Sequence, residues 1–224
     1  MARDFDGSTD GIALGSDASI TDFSNLTVAF HGRWDGAGNL DVVINKMNSS
    51  FEFGWMVQFR TTNVIGIARD FTGGRQTWAG TTISPAGSHH ITVSHNAGPT
   101  TLAVIQVDGV ADTVVELEAT TSGTLESDTA TALGLGQPAA GAFGYDGALQ
   151  NVCIANAVWT DAEKNRHRWW GCAPGGPSTV AVWLPLYTDG TANKGTATLS
   201  PTLTGTTVAS LPRPTVRPGM GMGW

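Results

Sequence analysis

Apolar and polar residues alternate along most of this chain with a period of two, the pattern of half-buried β-strands. Leu26–Trp34 puts Leu26, Val28 and Phe30 on one face, and Leu40–Lys46 pairs Val42 with Ile44. Residues 53–60 align Phe53, Trp55, Val57 and Phe59 on one side. Further strands are predicted over 64–68, 91–94, 102–107, 110–117, 132–136 and 148–155, with strand or extended chain over 179–187 and 196–209. Asp108-Gly109 separates two β-rich runs, and such a pair marks a tight hairpin because a type I′ turn needs positive φ at both central residues. In 148–155, Leu149, Val152 and Ile154 are expected to point inward across an irregular step, with Cys153 facing away from the main core. One helix is predicted, over 159–170. Thr160 stands at its N-cap with Glu163 three residues on, a capping-box spacing. Asp161 and Glu163 fall at its positive end, with Lys164, Arg166 and Arg168 toward its negative end.

With 224 residues the chain fits one sandwich domain, and the pattern shows no linker before about residue 209. We therefore expect a body over 1–208 and an extended Pro/Gly-rich tail over 209–224. Only 14% of the residues are charged while 29 are glycine, which suits strands joined by tight turns. The net charge of −7 argues against nucleic acid as a partner, since phosphate binding needs a basic face. No apolar run is long enough to cross a bilayer, and no secretory leader pattern opens the sequence. Two cysteines, Cys153 and Cys172, allow one disulfide but neither a disulfide framework nor a four-thiolate zinc site. Asn25 and Asn48 head glycosylation-type triplets, which without a leader are read as chance matches.

Several segments, in order, resemble a known family. Phe5-Asp-Gly-Ser-Thr-Asp-Gly-Ile-Ala-Leu14 resembles the first strand of laminin G-like domains, in the concanavalin A-like jelly-roll superfamily. Phe23-Ser-Asn-Leu-Thr-Val-Ala-Phe30 is similar to that family's next strand, and His89-His90-Ile-Thr-Val93 to its Trp-His-His-Val-Ala-Val segment, with Ser88 in place of the tryptophan. Val107-Asp-Gly-Val110 is similar to its central hairpin. Tyr145-Asp-Gly-Ala-Leu-Gln-Asn-Val-Cys-Ile154, followed by Trp159-Thr-Asp-Ala-Glu163, is the most specific match. The resemblance spans about residues 5–187. It implies an all-β, two-sheet antiparallel jelly-roll sandwich with one short helix, and a late strand at 180–186 lying near the N-terminal one.

Glucanases share this fold and carry carboxylates alternating along one cleft-facing strand. Here Glu116 and Glu118 share a strand face, but Thr121 stands where a third carboxylate would be needed. No Gly-x-Ser-x-Gly elbow or phosphate loop is present, so the chain is read as non-enzymatic. Many laminin G-like domains hold calcium at one rim, and Asp35, Asp41 and Asp146 lie in or near turns. Isolated turn aspartates usually cap their own backbone, so neither metal ligand nor cofactor is assigned. His89 and His90 point to opposite faces of one strand and cannot jointly ligate a metal. Of the tryptophans, Trp34, Trp55 and Trp183 are read as core, and Trp78 and Trp224 as exposed, Trp78 as a glycan contact.

Three functions follow as expectations. The first is a structural or decoration protein of a large assembly, a bacteriophage virion, because stand-alone laminin G-like chains of this kind resemble phage structural proteins. Its location would be the virion surface, and its partners other virion proteins or copies of itself. Arg213, Arg217 and Trp224 would anchor the tail, since a Gly/Pro terminus becomes ordered only on a surface that holds it. The second is a lectin-like module that binds a cell-surface glycan. The third, least favoured, is a glucanase-type hydrolase.

Overall fold

Strand formation follows the period-two pattern almost segment for segment. The computed structural model describes residues 2–36, 40–60, 64–82, 87–96, 98–118, 122–136, 143–171, 180–186 and 193–209. Its strands are β1 (Ala2–Asp6), β2 (Gly11–Gly15), β3 (Leu26–Trp34), β4 (Leu40–Lys46), β5 (Trp55–Arg60), β6 (Ile65–Phe71), β7 (Gly74–Gly80) and β8 (Ser88–His95). They continue as β9 (Val104–Val107), β10 (Val110–Ala111), β11 (Val114–Glu118), β12 (Leu133–Leu135), β13 (Asp146–Ala155), β14 (Val180–Leu184), β15 (Thr202–Thr204) and β16 (Thr207–Ala209). One α-helix, α1 (Asp161–Trp170), and one 3₁₀ turn (Ala18–Ile20) complete the described elements.

The strands form two antiparallel sheets. The first runs β10-β9-β8-β3-β13-β1-β16, with β14 also on β13. The second runs β11-β7-β6-β5-β4-β12-β2-β15. Val28, Phe30, Ile91, Val93, Leu149, Val152 and Ile154 of the first sheet meet Ile44, Trp55, Val57, Phe59, Ile67 and Trp78 of the second in one continuous core. Each such side chain, fully withdrawn from water, contributes about 1.5–3 kcal/mol. This is the predicted sandwich, with an irregular step in β13 where register shifts between Gln150 and Cys153 and Asn151 turns to φ 51°. Cys153 does face away from the main core, into a separate patch with Ala29, Ala155 and Trp159. It is disulfide-bonded; the other cysteine of the chain, Cys172, lies outside the described residues. β1 and β14 occupy the same edge of β13, at Asp146–Leu149 and Val152–Ala155, so the late strand lies end to end with the first.

The Asp108-Gly109 hairpin forms as predicted, with φ of 53° and 80°. Three strand readings need correction. Val42 and Ile44 do not share a face: a register shift falls between them, Val43 and Ile44 enter the main core, and Val42 packs with Met47, Met56 and Ala68 in a separate patch. Phe53 leaves the inward-facing row of Trp55, Val57 and Phe59: it precedes β5, adopts φ 61° and is 42% exposed. And β7, which carries Trp78, falls in a segment where the apolar pattern predicts no strand.

In α1, the Thr160 hydroxyl accepts from the Glu163 amide (3.3 Å) while the Glu163 carboxylate accepts from the Thr160 amide (2.7 Å), completing the capping box. Gly171, at φ 65°, ends the helix and donates its N–H to the His167 carbonyl. Thr160→Ala is expected to cost about 1 kcal/mol, measured as a shifted urea midpoint. The helix lies on the outer face of the first sheet, where Asp161 accepts from the Gln106 amide at 2.9 Å.

Candidate functional site

Antiparallel order puts the β4–β5 connection and the β6–β7 turn at the same end of the second sheet. The segment before β12 crosses this end: the Thr72 amide donates to the Thr124 carbonyl (2.9 Å) and the Glu126 amide to the Asp70 carbonyl (3.1 Å). Together these three pieces form the rim of a groove.

The loop into β5 is conformationally unusual. Phe51 and Phe53 have φ of 60° and 61°, in the left-handed region that bulky residues avoid. Each such residue costs of the order of 1–3 kcal/mol and persists only where its surroundings impose it. The surroundings here are specific. The Asn48 carboxamide oxygen accepts from the Ser50 and Glu52 amides (2.9 Å each), and the Asp70 carboxylate accepts from the Phe53 amide at 2.7 Å. Gly54 follows at φ 125°, and a Cβ there would overlap the Lys46 carbonyl oxygen. The result is an aromatic ring turned outward instead of into the core.

Glu52, Phe53, Asp70, Thr72, Arg75 and Glu126 line the groove, whose volume is about 360 Å³. Arg75 Nε donates to Asp70 at 3.3 Å. Burial raises the Asp70 carboxyl above the usual range, and the Arg75 charge pulls it partly back. An outward apolar ring beside carboxylates, a hydroxyl and one guanidinium suits a small molecule with one apolar face and several hydroxyls.

Trp78, expected to be exposed and to touch a glycan, is instead fully buried. Its ring lies 4.2 Å from that of His95 and edge-on to Phe71, so no glycan reaches it. Trp55 is core as predicted, whereas Trp34 is half-buried and stacks on Phe59, and Trp183 is half-buried beneath the Lys194 ammonium. Arg213, Arg217 and Trp224 lie outside the described residues. Glu116 and Glu118 are exposed on β11, with a register shift between them, and Glu118 accepts from the Thr77 hydroxyl at 2.8 Å.

Asp35, Asp41 and Asp146 do gather at the opposite rim, where the Asp35 amide donates to the Asp146 carbonyl at 2.9 Å. Burial first, then the negative charges of Asp35 and Asp41, raise the Asp146 carboxyl. Asp35 is held by Arg33 at 2.6 Å, and Asp41 accepts from the Trp34 indole. Among the described residues no group of three or more His, Cys, Asp or Glu could hold a metal ion. His89 and His90 point apart as expected, His89 to the Asp108 carboxylate (2.7 Å) and His90 to His167 (2.8 Å). The groove itself escaped the sequence reading. Its nearest signal is Asn48-Ser-Ser before Phe51 and Gly54, turn-forming residues that interrupt the apparent strand.

No protein-family model and no curated protein matches the sequence. Solved structures do match the fold. A proposed carbohydrate-binding protein from Bacteroides ovatus aligns over 94% of this chain at TM-score 0.69 and 15% identity, and the chain spans 59% of that protein's length. The LG1-3 region of the laminin α2 chain aligns over 72% of this chain and 32% of its own length, at TM-score 0.52 and 15% identity. A heptameric SAP-like pentraxin from Limulus polyphemus aligns over 90% of this chain and 93% of its own length, at TM-score 0.54 and 9% identity. The two sheets, the helix packed beside them and these likenesses agree: the chain has the concanavalin A-like jelly-roll fold of laminin G domains.

Proposed function

We propose that the chain is a lectin-like carbohydrate-binding module and that one sugar ring docks in the groove against Phe53. The observation that carries this reading is the outward Phe53 ring, held at positive φ beside a polar, concave wall. A sugar's C–H face would pack on the ring while its hydroxyls bond to Glu52, Glu126 and Arg75. The matched Bacteroides ovatus protein, named for carbohydrate binding, supports the reading at the level of fold. The test is a glycan array followed by calorimetry on any hit. Phe53→Ala is expected to weaken binding at least about tenfold, close to 1.4 kcal/mol, with the urea midpoint unchanged or raised. No hit on the array, or equal affinity of the variant, overturns the proposal.

A second reading is a structural role in a larger assembly, with the groove facing outward. It is favoured by apolar exposure beside α1, where Trp170 is 64%, Val158 45% and Trp169 39% exposed. Exposed apolar surface of this kind, here concentrated in the adjacent Trp169 and Trp170 at the end of α1, is a feature of contact surfaces. The virion setting expected above belongs to this reading.

A further inference from the structure

Three histidine rings cluster between α1 and the outer face of the first sheet: His31 from β3, His90 from β8 and His167 from α1. Their centroids lie 4.9 Å (31–90), 5.1 Å (90–167) and 5.7 Å (31–167) apart, and all three side chains are buried. Each ring bridges sheet and helix. His31 Nε2 lies 3.0 Å from the Arg168 carbonyl, His90 Nε2 lies 2.8 Å from His167 Nδ1, and His167 Nε2 lies 2.9 Å from the Asn151 carbonyl.

Chemistry fixes the proton positions. A carbonyl oxygen only accepts, so His31 and His167 carry their protons on Nε2. His167 Nδ1 is then an acceptor, and His90 must donate to it from Nε2. The remaining nitrogens, His31 Nδ1 and His90 Nδ1, are buried with no hydrogen-bond partner among the described residues. Docked, the set is therefore three neutral imidazoles. A further proton on His31 or His90 would be buried without an acceptor, and one on His167 would turn His90 into the acceptor and leave the His90 proton on its buried, partnerless Nδ1.

We propose that α1 is a latch on the first sheet which opens in acid, as its three bridging histidines take up protons that the docked arrangement has no place for. Opening would bare the Trp159 ring, which lies 5.7 Å from that of His167 in the docked state. The charged groups facing the rings are few. Asp108, on the β9–β10 turn, favours a charge on His31, while Arg168 of α1 opposes one on His31 and His90. Asp108 is itself engaged by His89, and Lys164 of α1 turns to Asp161 at 3.7 Å. Burial, acting before any charge, holds all three rings below the ordinary imidazole range, His167 at about 3. An undocked ring returns to about 6.5, so below that pH the open state binds more protons than the docked one. Docking is at full strength above about pH 6.5 and weakens as pH falls toward the docked values, about tenfold per pH unit for each ring that takes up a proton.

The test is amide hydrogen exchange on the whole chain at about pH 7.5, 6 and 5, corrected for the intrinsic pH dependence of exchange. The expected result is a loss of protection of at least about tenfold across residues 161–170 between pH 6 and 5, with β4, β5 and β6 unchanged. Constant protection of the helix, or equal loss in the sheets, overturns the proposal. In the double variant His31→Gln, His90→Gln the carboxamide N–H groups replace both donors without titrating, and the acid loss is expected to shrink at least about tenfold. Should that variant not fold, the imidazole nitrogen signals of the unmodified chain decide. Protonation in step with helix opening supports the latch, and rings that titrate near 6.5 under a protected helix overturn it.

Discussion

Asp128→Ala is expected to destabilise the chain by about 3–5 kcal/mol, because it leaves a buried ammonium without its counter-charge. Lys46 and Asp128 have side chains only 0% and 3% exposed and meet at 2.8 Å. Lys46 Nζ also donates to the Asp128 carbonyl at 2.7 Å, so removing the carboxylate leaves hydrogen bonds but no neutralising charge. The same carboxylate accepts from the Asp22 amide (2.9 Å), and the Asp22 carboxylate accepts from the Asp128 amide (3.0 Å). One substitution thus unties two loops. Urea denaturation measures the loss, and it should be insensitive to added salt because solvent ions do not screen a buried pair. Adding Lys46→Met should recover much of the stability, since deleting both charges is far cheaper than deleting one. A cost below about 1 kcal/mol for Asp128→Ala would mean that the pair is solvated.

Trp78→Ala is the second large effect, again about 3–5 kcal/mol, the cost of emptying a core site that cannot fully collapse. Trp78→Phe should cost much less, because the indole N–H is buried without a partner among the described residues and its removal gives up no hydrogen bond there. Trp78 packs edge-on against Phe71, which lines the groove; Trp78→Phe keeps an aromatic ring there, so glycan binding by this folded variant should equal that of the unchanged chain. Lost binding with unchanged stability would mean that Trp78 positions the groove through Phe71.

The contrast between Trp78 and Phe53 explains how far the sequence could be read. Alternation located β3 and β4 to the residue, but only β3 keeps a regular row of apolar side chains on the core face; a register shift breaks the row in β4 between Val42 and Ile44. β7 reads Gly-Arg-Gln-Thr-Trp-Ala-Gly, and its buried Gln76 and Thr77 look like loop residues. Burial of polar groups depends on neighbours distant in sequence, so period alone misses it. Phe53 fails in the opposite direction. It sits in phase with Trp55 and Val57, yet positive φ at Phe51, Phe53 and Gly54 breaks the phase before β5 begins. The α1 capping box and the Asp108-Gly109 turn were legible because their hydrogen bonds close within four residues. The groove and the histidine cluster were not, because each is assembled from chain segments brought together only by sheet order.

The place of β13 in the first sheet also governs the order in which the molecule can be made. β4 to β7 form a meander of neighbouring hairpins, which can pair as soon as they are synthesised. β1 and β3 take their partner β13 from more than half the chain away, Phe5 opposite Gly147 and Val28 opposite Ile154. Until β13 leaves the ribosome, β1 has no neighbour on that side and β3 has one open edge. Until β13 emerges, nascent chains therefore carry an unpaired β1 and a β3 paired on one side alone, and this is the interval in which these strands are open to chaperones and to aggregation.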